Sequence, residues 1–170
     1  NQRNHRYSVS RGIYKLRLAI VDWYRSRYGV EFDPDAEAIV TIGVKEGLAH
    51  LALATLGPGN IVLVPNPTYP IHMYSVVIAG ADVHSVPISP ERDFFEDLTQ
   101  AIQVTFPLPR MMILSFPHNP TPRVVDKGFF ESGVSIAREH KILIVHDFAY
   151  ADLCFDGYRP PSLFEIPEAR

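Results

Sequence analysis

One cysteine, Cys154, is all the sequence holds. No internal disulfide can staple the fold, and the usage fits a reducing compartment, the cytoplasm. No apolar run approaches the roughly 20 residues a membrane helix needs, and no signal peptide is legible. Sixteen Lys and Arg stand against nineteen Asp and Glu, a net charge of −3 with no basic block. Neither nucleic acid nor a membrane surface is indicated as a partner. The histidines, His5, His50, His72, His84, His118, His140 and His146, are scattered with no two of them four residues apart. No metal site is expected from them, and His146 reads as a packed residue. Cys154, Met111 and Met112 read as core. Lysine is scarce as well, present at positions 15, 45, 127 and 141 only. What remains is a chain of 170 residues, long enough to bury one sizeable core, and length alone suggests a single domain.

Short apolar runs alternate with helical patterns, the signature of an α/β fold: a mostly parallel sheet with helices on both faces. Strands are expected at Ala38–Ile42, Ile61–Pro65, Asp82–Val86, Met111–Phe116 and Ile142–His146. Between them, a helix near Gly12 to Tyr28 places Ile13, Leu16, Ile20, Trp23 and Tyr24 on one stripe. A second spans about Lys45 to Leu56 and stops at Gly57-Pro58-Gly59. Thr68 can cap a third, with Pro70 in its first turn and Gly80 closing it. Asp93 and Glu96 have capping-box spacing ahead of a fourth, and Asp126 can cap a fifth that reaches about His140.

In parallel α/β sheets, ligands bind outside the carboxyl ends of the strands. Several polar or aromatic residues follow such ends here. In Thr41–Gly47, Gly43 lets the backbone turn tightly, so Gly43, Val44 and Lys45 can cradle an anion on the free N–H groups of the next helix. Read alone, the same stretch is an ordinary strand-to-helix turn. Tyr69 opens the helix after Ile61–Pro65, as a stacking ring or as a core tyrosine. Asn119 ends the next strand's loop, as a ligand or as the turn initiator that Asn before Pro often is. Asp147 and Tyr150 follow Ile142–His146, where Asp147 is either a buried functional carboxylate or a turn cap. Singly none of these decides anything, but jointly they could converge on one flat heterocycle.

Three stretches, Tyr7–Ile13, Pro65–His72 and His146–Leu153, carry a resemblance to a known family. Over essentially all of its length the chain resembles the fold-type I pyridoxal-phosphate (PLP) aminotransferases of class I/II, nearest the alanine-type branch. The resemblance implies that residues 1–170 are part of a three-layer, PLP-binding large domain, without its C-terminal part or the small domain. Asn1 in place of an initiator Met and the ending at Arg170 fit an incomplete stretch of a longer chain. The implied cofactor is pyridoxal 5′-phosphate, and the implied partners are an L-amino acid (alanine or glutamate), a 2-oxo acid and a second copy in a homodimer.

Residue by residue, the resemblance gives Gly43, Val44 and Lys45 the phosphate and Tyr69 the pyridine face. Asn119 and Tyr150 take the 3′-oxygen. Asp147 takes the ring nitrogen, and Tyr7 reaches the neighbouring subunit's phosphate. Asp147 carries the chemistry: an acidic partner keeps the ring nitrogen protonated so that the ring can withdraw electrons. At about 4 Å and an effective dielectric of 20, the attraction is roughly 4 kcal/mol. Three positions depart from the family, which usually has a small residue at Val44 and at His118 and a glycine at Pro122. The lysine that attaches PLP as a Schiff base, and the arginine that takes the substrate carboxylate, are both missing. As it stands the chain should be inactive. Alternatives stay open: a PLP-dependent lyase or decarboxylase, or a non-catalytic remnant that binds PLP or a protein partner. A dinucleotide-binding dehydrogenase is disfavoured, since no Gly-x-Gly-x-x-Gly follows a strand.

Overall fold

The computed structural model describes residue 7 and residues 9–170; Asn1, His5 and Ser8 lie outside them. The chain divides into two compact units, residues 1–43 and 44–170.

The first unit is built on α1 (Tyr14–Tyr28), which ends where Gly29 turns left-handed at φ 68° and returns its N–H to the Arg25 carbonyl. The apolar stripe expected along this helix is not its buried face. Ile13 and Leu16 are exposed, whereas Arg17, Val21 and Tyr28 are buried. Arg17 is drawn inward because its guanidinium is satisfied there, by the carbonyls of Gly12 and Pro34 and by Asp35 Oδ1 at 2.9 Å. Trp23, Tyr24, Tyr28 and Phe32 form an aromatic cluster with centroid separations of 5.0–5.8 Å. The strand expected at Ala38–Ile42 does not form. Val40 donates its N–H to the Arg11 carbonyl at 3.1 Å, and Ile39 and Ile42 stay exposed. Apolar β-branched residues make a strand only where a neighbour offers a ladder, and this segment meets a turn instead.

The second unit runs α2 (Val44–Thr55), β1 (Ile61–Asn66), α3 (Pro70–Ile78), β2 (Asp82–Pro87), α4 (Phe94–Val104), β3 (Met111–Ser115), α5 (Lys127–His140) and β4 (Leu143–Asp147). Two single-turn 3-10 helices, Leu163–Glu165 and Pro167–Ala169, follow. All four strands are parallel, in the order β2-β1-β3-β4. Asp93 caps α4 by accepting from the N–H groups of Phe95 and Glu96, and Asp126 caps α5 by accepting from Phe129. Thr68 does not cap α3, whose N-cap is Tyr69 without a side-chain bond.

Side chains alternate across the sheet and so divide the core in two. Val62, Val64, Met111 and Ile113 face Val76 of α3 on one side. Leu63, Met112 and Leu114 face Phe94, Leu98, Ile102, Phe130 and Val134 of α4 and α5 on the other. Both faces are covered, which is why these strands read as continuous apolar runs. Fully burying one such side chain stabilises by about 1.5–3 kcal/mol.

The topology also fixes where a ligand can sit. From β1 the chain crosses to β2 on one side, and from β3 it crosses to β4 on the other. The connections therefore diverge between β1 and β3, and the crevice beyond their carboxyl ends is the switch point where such sheets bind ligands.

Candidate functional site

Asp147 is the last residue of β4, level with Ser115 at the end of β3. Its side chain is 4% exposed, and its Oδ2 lies 2.9 Å from Nε2 of His72, itself 1% exposed. His72 Nδ1 lies 2.8 Å from Thr68 Oγ1. One proton arrangement satisfies all three groups: Thr68 donates to Nδ1, and Nε2–H donates to the carboxylate. Asp147 Oδ1 accepts from the Ala149 N–H at 3.2 Å. A buried carboxylate is costly unless its lone pairs are engaged, and here they are held from α3 and from the turn after β4.

Asn119 lies in the loop between β3 and α5, and its Nδ2 donates to the Tyr150 hydroxyl at 2.9 Å. These two and Asp147 thus gather at the carboxyl ends of β3 and β4. Tyr69, directly before α3, stands edge-on to His72 with centroids 6.1 Å apart, which connects it to Asp147 through one imidazole. The Lys45 ammonium lies 5.3 Å from the Tyr69 ring centroid, and a hydrogen bond to Tyr69 raises the lysine's pKa. The Lys45 side chain is therefore committed to the aromatic ring, leaving its backbone to any anion at the start of α2. Val44 is the first residue of α2. Gly43 precedes it at φ 84°, with nothing within 4 Å of where a Cβ would stand. Gly43 and Tyr7 belong to the first unit, where Tyr7 is fully exposed.

His146 donates from Nε2 to the Phe116 carbonyl at 3.3 Å. Its ring lies between Phe130 and Phe148, each 4.7 Å away, and this burial depresses its pKa to about 4. It is a packed residue, as its sequence context suggests. Cys154 is not core. It is partly exposed and lines, with Asn119, Tyr150, Phe155 and Tyr158, a cavity of about 480 Å³ behind the Asn119–Tyr150 pair.

Sequence reasoning missed His72 and Thr68 as site residues. The signal lay in a polar pair four residues apart at the start of an apolar helix, yet the partner that gives it meaning is 75 residues away. Of the second unit's lysines, Lys45 reaches the cluster through the Tyr69 ring, whereas Lys127 begins α5 and Lys141 is its left-handed cap. Among the described residues no group of three His, Cys, Asp or Glu could hold a metal.

The fold and this cluster define a class: a parallel α/β sheet with a buried carboxylate, an amide–phenol pair and an aromatic ring beyond its strand ends, suited to a flat heterocycle with a basic nitrogen. The aminotransferase class I and II model matches residues 1–168, and the chain belongs to that family. Members use pyridoxal phosphate, and the chemistry of these residues fits such a group: the buried Asp147 carboxylate would suit a ring nitrogen, the Asn119–Tyr150 pair an oxygen and Tyr69 a ring face. Glutamate-pyruvate aminotransferase AlaC of Escherichia coli is 58% identical over 166 residues, 98% of this chain and 40% of that protein. An LL-diaminopimelate aminotransferase of Desulforudis audaxviator is 44% identical over 98% of this chain and 43% of its own length. The apo structure of BacF from Bacillus subtilis superposes with a TM-score of 0.87 at 34% identity, over 99% of this chain and 45% of BacF. The chain thus spans about two fifths of the length of the curated relatives it matches.

Proposed function

We propose that residues 1–170 form the part of an aminotransferase large domain that grips pyridoxal phosphate, and that the complete protein moves an amino group between an L-amino acid and a 2-oxo acid. The observation that carries this is the Asp147–His72–Thr68 chain beside the Asn119–Tyr150 bond at the switch point of a parallel sheet. When bound, the cofactor supplies an electron sink for the charge that develops at the amino acid's Cα. Asp147 keeps the proton on the ring nitrogen, and His72 orients the Asp147 carboxylate. Tyr69 covers the ring face, Asn119 and Tyr150 hold the 3′-oxygen, and the backbone of Gly43, Val44 and Lys45 receives the phosphate. Alanine and glutamate are the favoured amino donors, in keeping with the name of the E. coli relative.

On this reading the attaching lysine lies outside these 170 residues: the Lys45 ammonium is engaged by the Tyr69 ring, and Lys127 and Lys141 stand at the two ends of α5. We further propose a homodimer in which exposed Tyr7 serves the partner's site, and a cytoplasmic setting suited to a single free cysteine. No helix of the described residues is long and apolar enough to cross a membrane. The missing lysine also favours a second reading, a PLP-binding remnant without catalysis. The discriminating experiment incubates the complete protein with PLP, L-alanine and 2-oxoglutarate. Pyruvate and glutamate forming in equal amounts support the first reading; bound PLP without transfer supports the second.

A further inference from the structure

The loop that carries Asn119 contains His118 and Pro122, and the structure relates them. Pro122 has φ 28°, in the left-handed region that a glycine tolerates and a proline ring, set near −65°, does not favour. His118 makes bonds on both sides of Pro122. Its N–H donates to the Arg123 carbonyl at 2.9 Å, closing the loop from the far side of Pro122. Its Nδ1 lies 2.8 Å from the Thr121 hydroxyl, the residue just before Pro122. Its ring, 3% exposed, packs on Phe116 with centroids 5.6 Å apart.

We infer that His118 is a positioning residue for Asn119: a buried strut that spans the loop and aims the Asn119 amide at Tyr150, and so at the cofactor's 3′-oxygen. The inference rests on the cofactor reading above. A small residue at 118 could supply the backbone bond but not the imidazole bridge to Thr121. His118 Nε2 is buried with no hydrogen-bond partner, which marks the ring as seated for its Nδ1 contact and its packing. Burial, followed by the neighbouring His72 and Arg123, pushes the imidazole's pKa down, so the bridge is made by the neutral ring.

The test uses the complete protein loaded with PLP and follows the pH midpoint of the bound cofactor's visible absorbance. A hydrogen bond donated to an anionic oxygen favours the deprotonated form and lowers the pKa, so loosening Asn119 from the 3′-oxygen should raise this midpoint. His118→Ala is expected to raise it by about one pH unit and to weaken PLP binding roughly tenfold. Thr121→Val, at an exposed position that need not disturb folding, should produce the same shift, and the double variant no more than either alone. His118→Asn, whose amide can occupy the place of Nδ1, should restore the midpoint. In the cofactor-free protein, protease cleavage between residues 117 and 123 should accelerate in His118→Ala and Thr121→Val but not in His118→Asn. An unchanged midpoint in both His118→Ala and Thr121→Val overturns the inference, whatever their thermal stability. A wild-type protein that binds no PLP refutes the cofactor reading instead.

Discussion

Replacing His72 by Phe probes the buried contact on which the site depends. The imidazole contributes one hydrogen bond to a carboxylate 4% exposed, at 2.9 Å. Its loss leaves Asp147 with one other protein donor shown, the Ala149 N–H at 3.2 Å. A net hydrogen bond to a charged group is worth about 1.5–3 kcal/mol, and a buried acceptor left unmatched adds its desolvation cost. His72→Phe should therefore destabilise the protein by about 3 kcal/mol. In an Asp147→Asn background the acceptor is neutral, so the same change should cost only about 1 kcal/mol. The coupling energy is then about 2 kcal/mol, a factor of roughly 30 in the folding equilibrium. Urea unfolding of wild type, both single variants and the double variant near pH 7.5 gives this number directly. Additivity within about 0.5 kcal/mol would refute the argument that Asp147 is charged and held by His72.

His146 predicts a pH dependence of stability. Its folded pKa near 4 lies below the unfolded value of about 6.5, so the unfolded chain takes the proton first. The associated stability is fully present above about pH 6.5 and is lost as pH falls through about 4. The loss is at most on the order of 3 kcal/mol, and less where water reaches the edge of β4. Unfolding midpoints of His146→Phe should lack this component between about pH 7 and pH 4.5, whereas parallel slopes would contradict the assignment. Gly43→Ala should weaken PLP binding about tenfold by forcing a Cβ residue to φ 84°, a left-handed conformation costing about 1–2 kcal/mol. Unchanged affinity by absorbance titration would remove Gly43 from the cradle.

Much of the second unit could be read from residues alone, for physical reasons that also mark where reading stopped. Strands buried on both faces must be continuously apolar, so β1 and β3 announce themselves within one residue of their ends, and so does β4, an edge strand with the same apolar run. Asp93 and Asp126 act locally, each on N–H groups two or three residues ahead, and their roles were legible as caps. Asp147 and Asn119 could be placed at one edge because parallel strands all deliver their carboxyl ends there. Long-range pairings were not legible. Nothing near Asp147 in sequence points to His72, and nothing in α1 indicates that Arg17, rather than Leu16, is buried. Ala38–Ile42 has the composition of a strand but lacks the neighbour that would make it one. Thr68 looks like a cap because a hydroxyl before a helix usually is one, but its bond goes to an imidazole. The Asn119 loop showed His118 and Pro122 only as two separate departures. Their relation appears once the Arg123 carbonyl and the Thr121 hydroxyl are seen to converge on one ring.

If Asp147 maintains the proton on the cofactor's ring nitrogen, Asp147→Asn in the complete protein should slow turnover without releasing the cofactor. Size and shape hardly change, and an amide can still accept from His72, so PLP should remain bound. What is lost is the charge, worth roughly 4 kcal/mol at about 4 Å and an effective dielectric of 20. At 1.36 kcal/mol per decade, that corresponds to a roughly thousandfold slower reaction. The measurement is the single-turnover rate with L-alanine at matched cofactor occupancy. The expected result is a fall of about three decades with binding retained; equal rates in wild type and variant would make Asp147 a structural residue and overturn the mechanism.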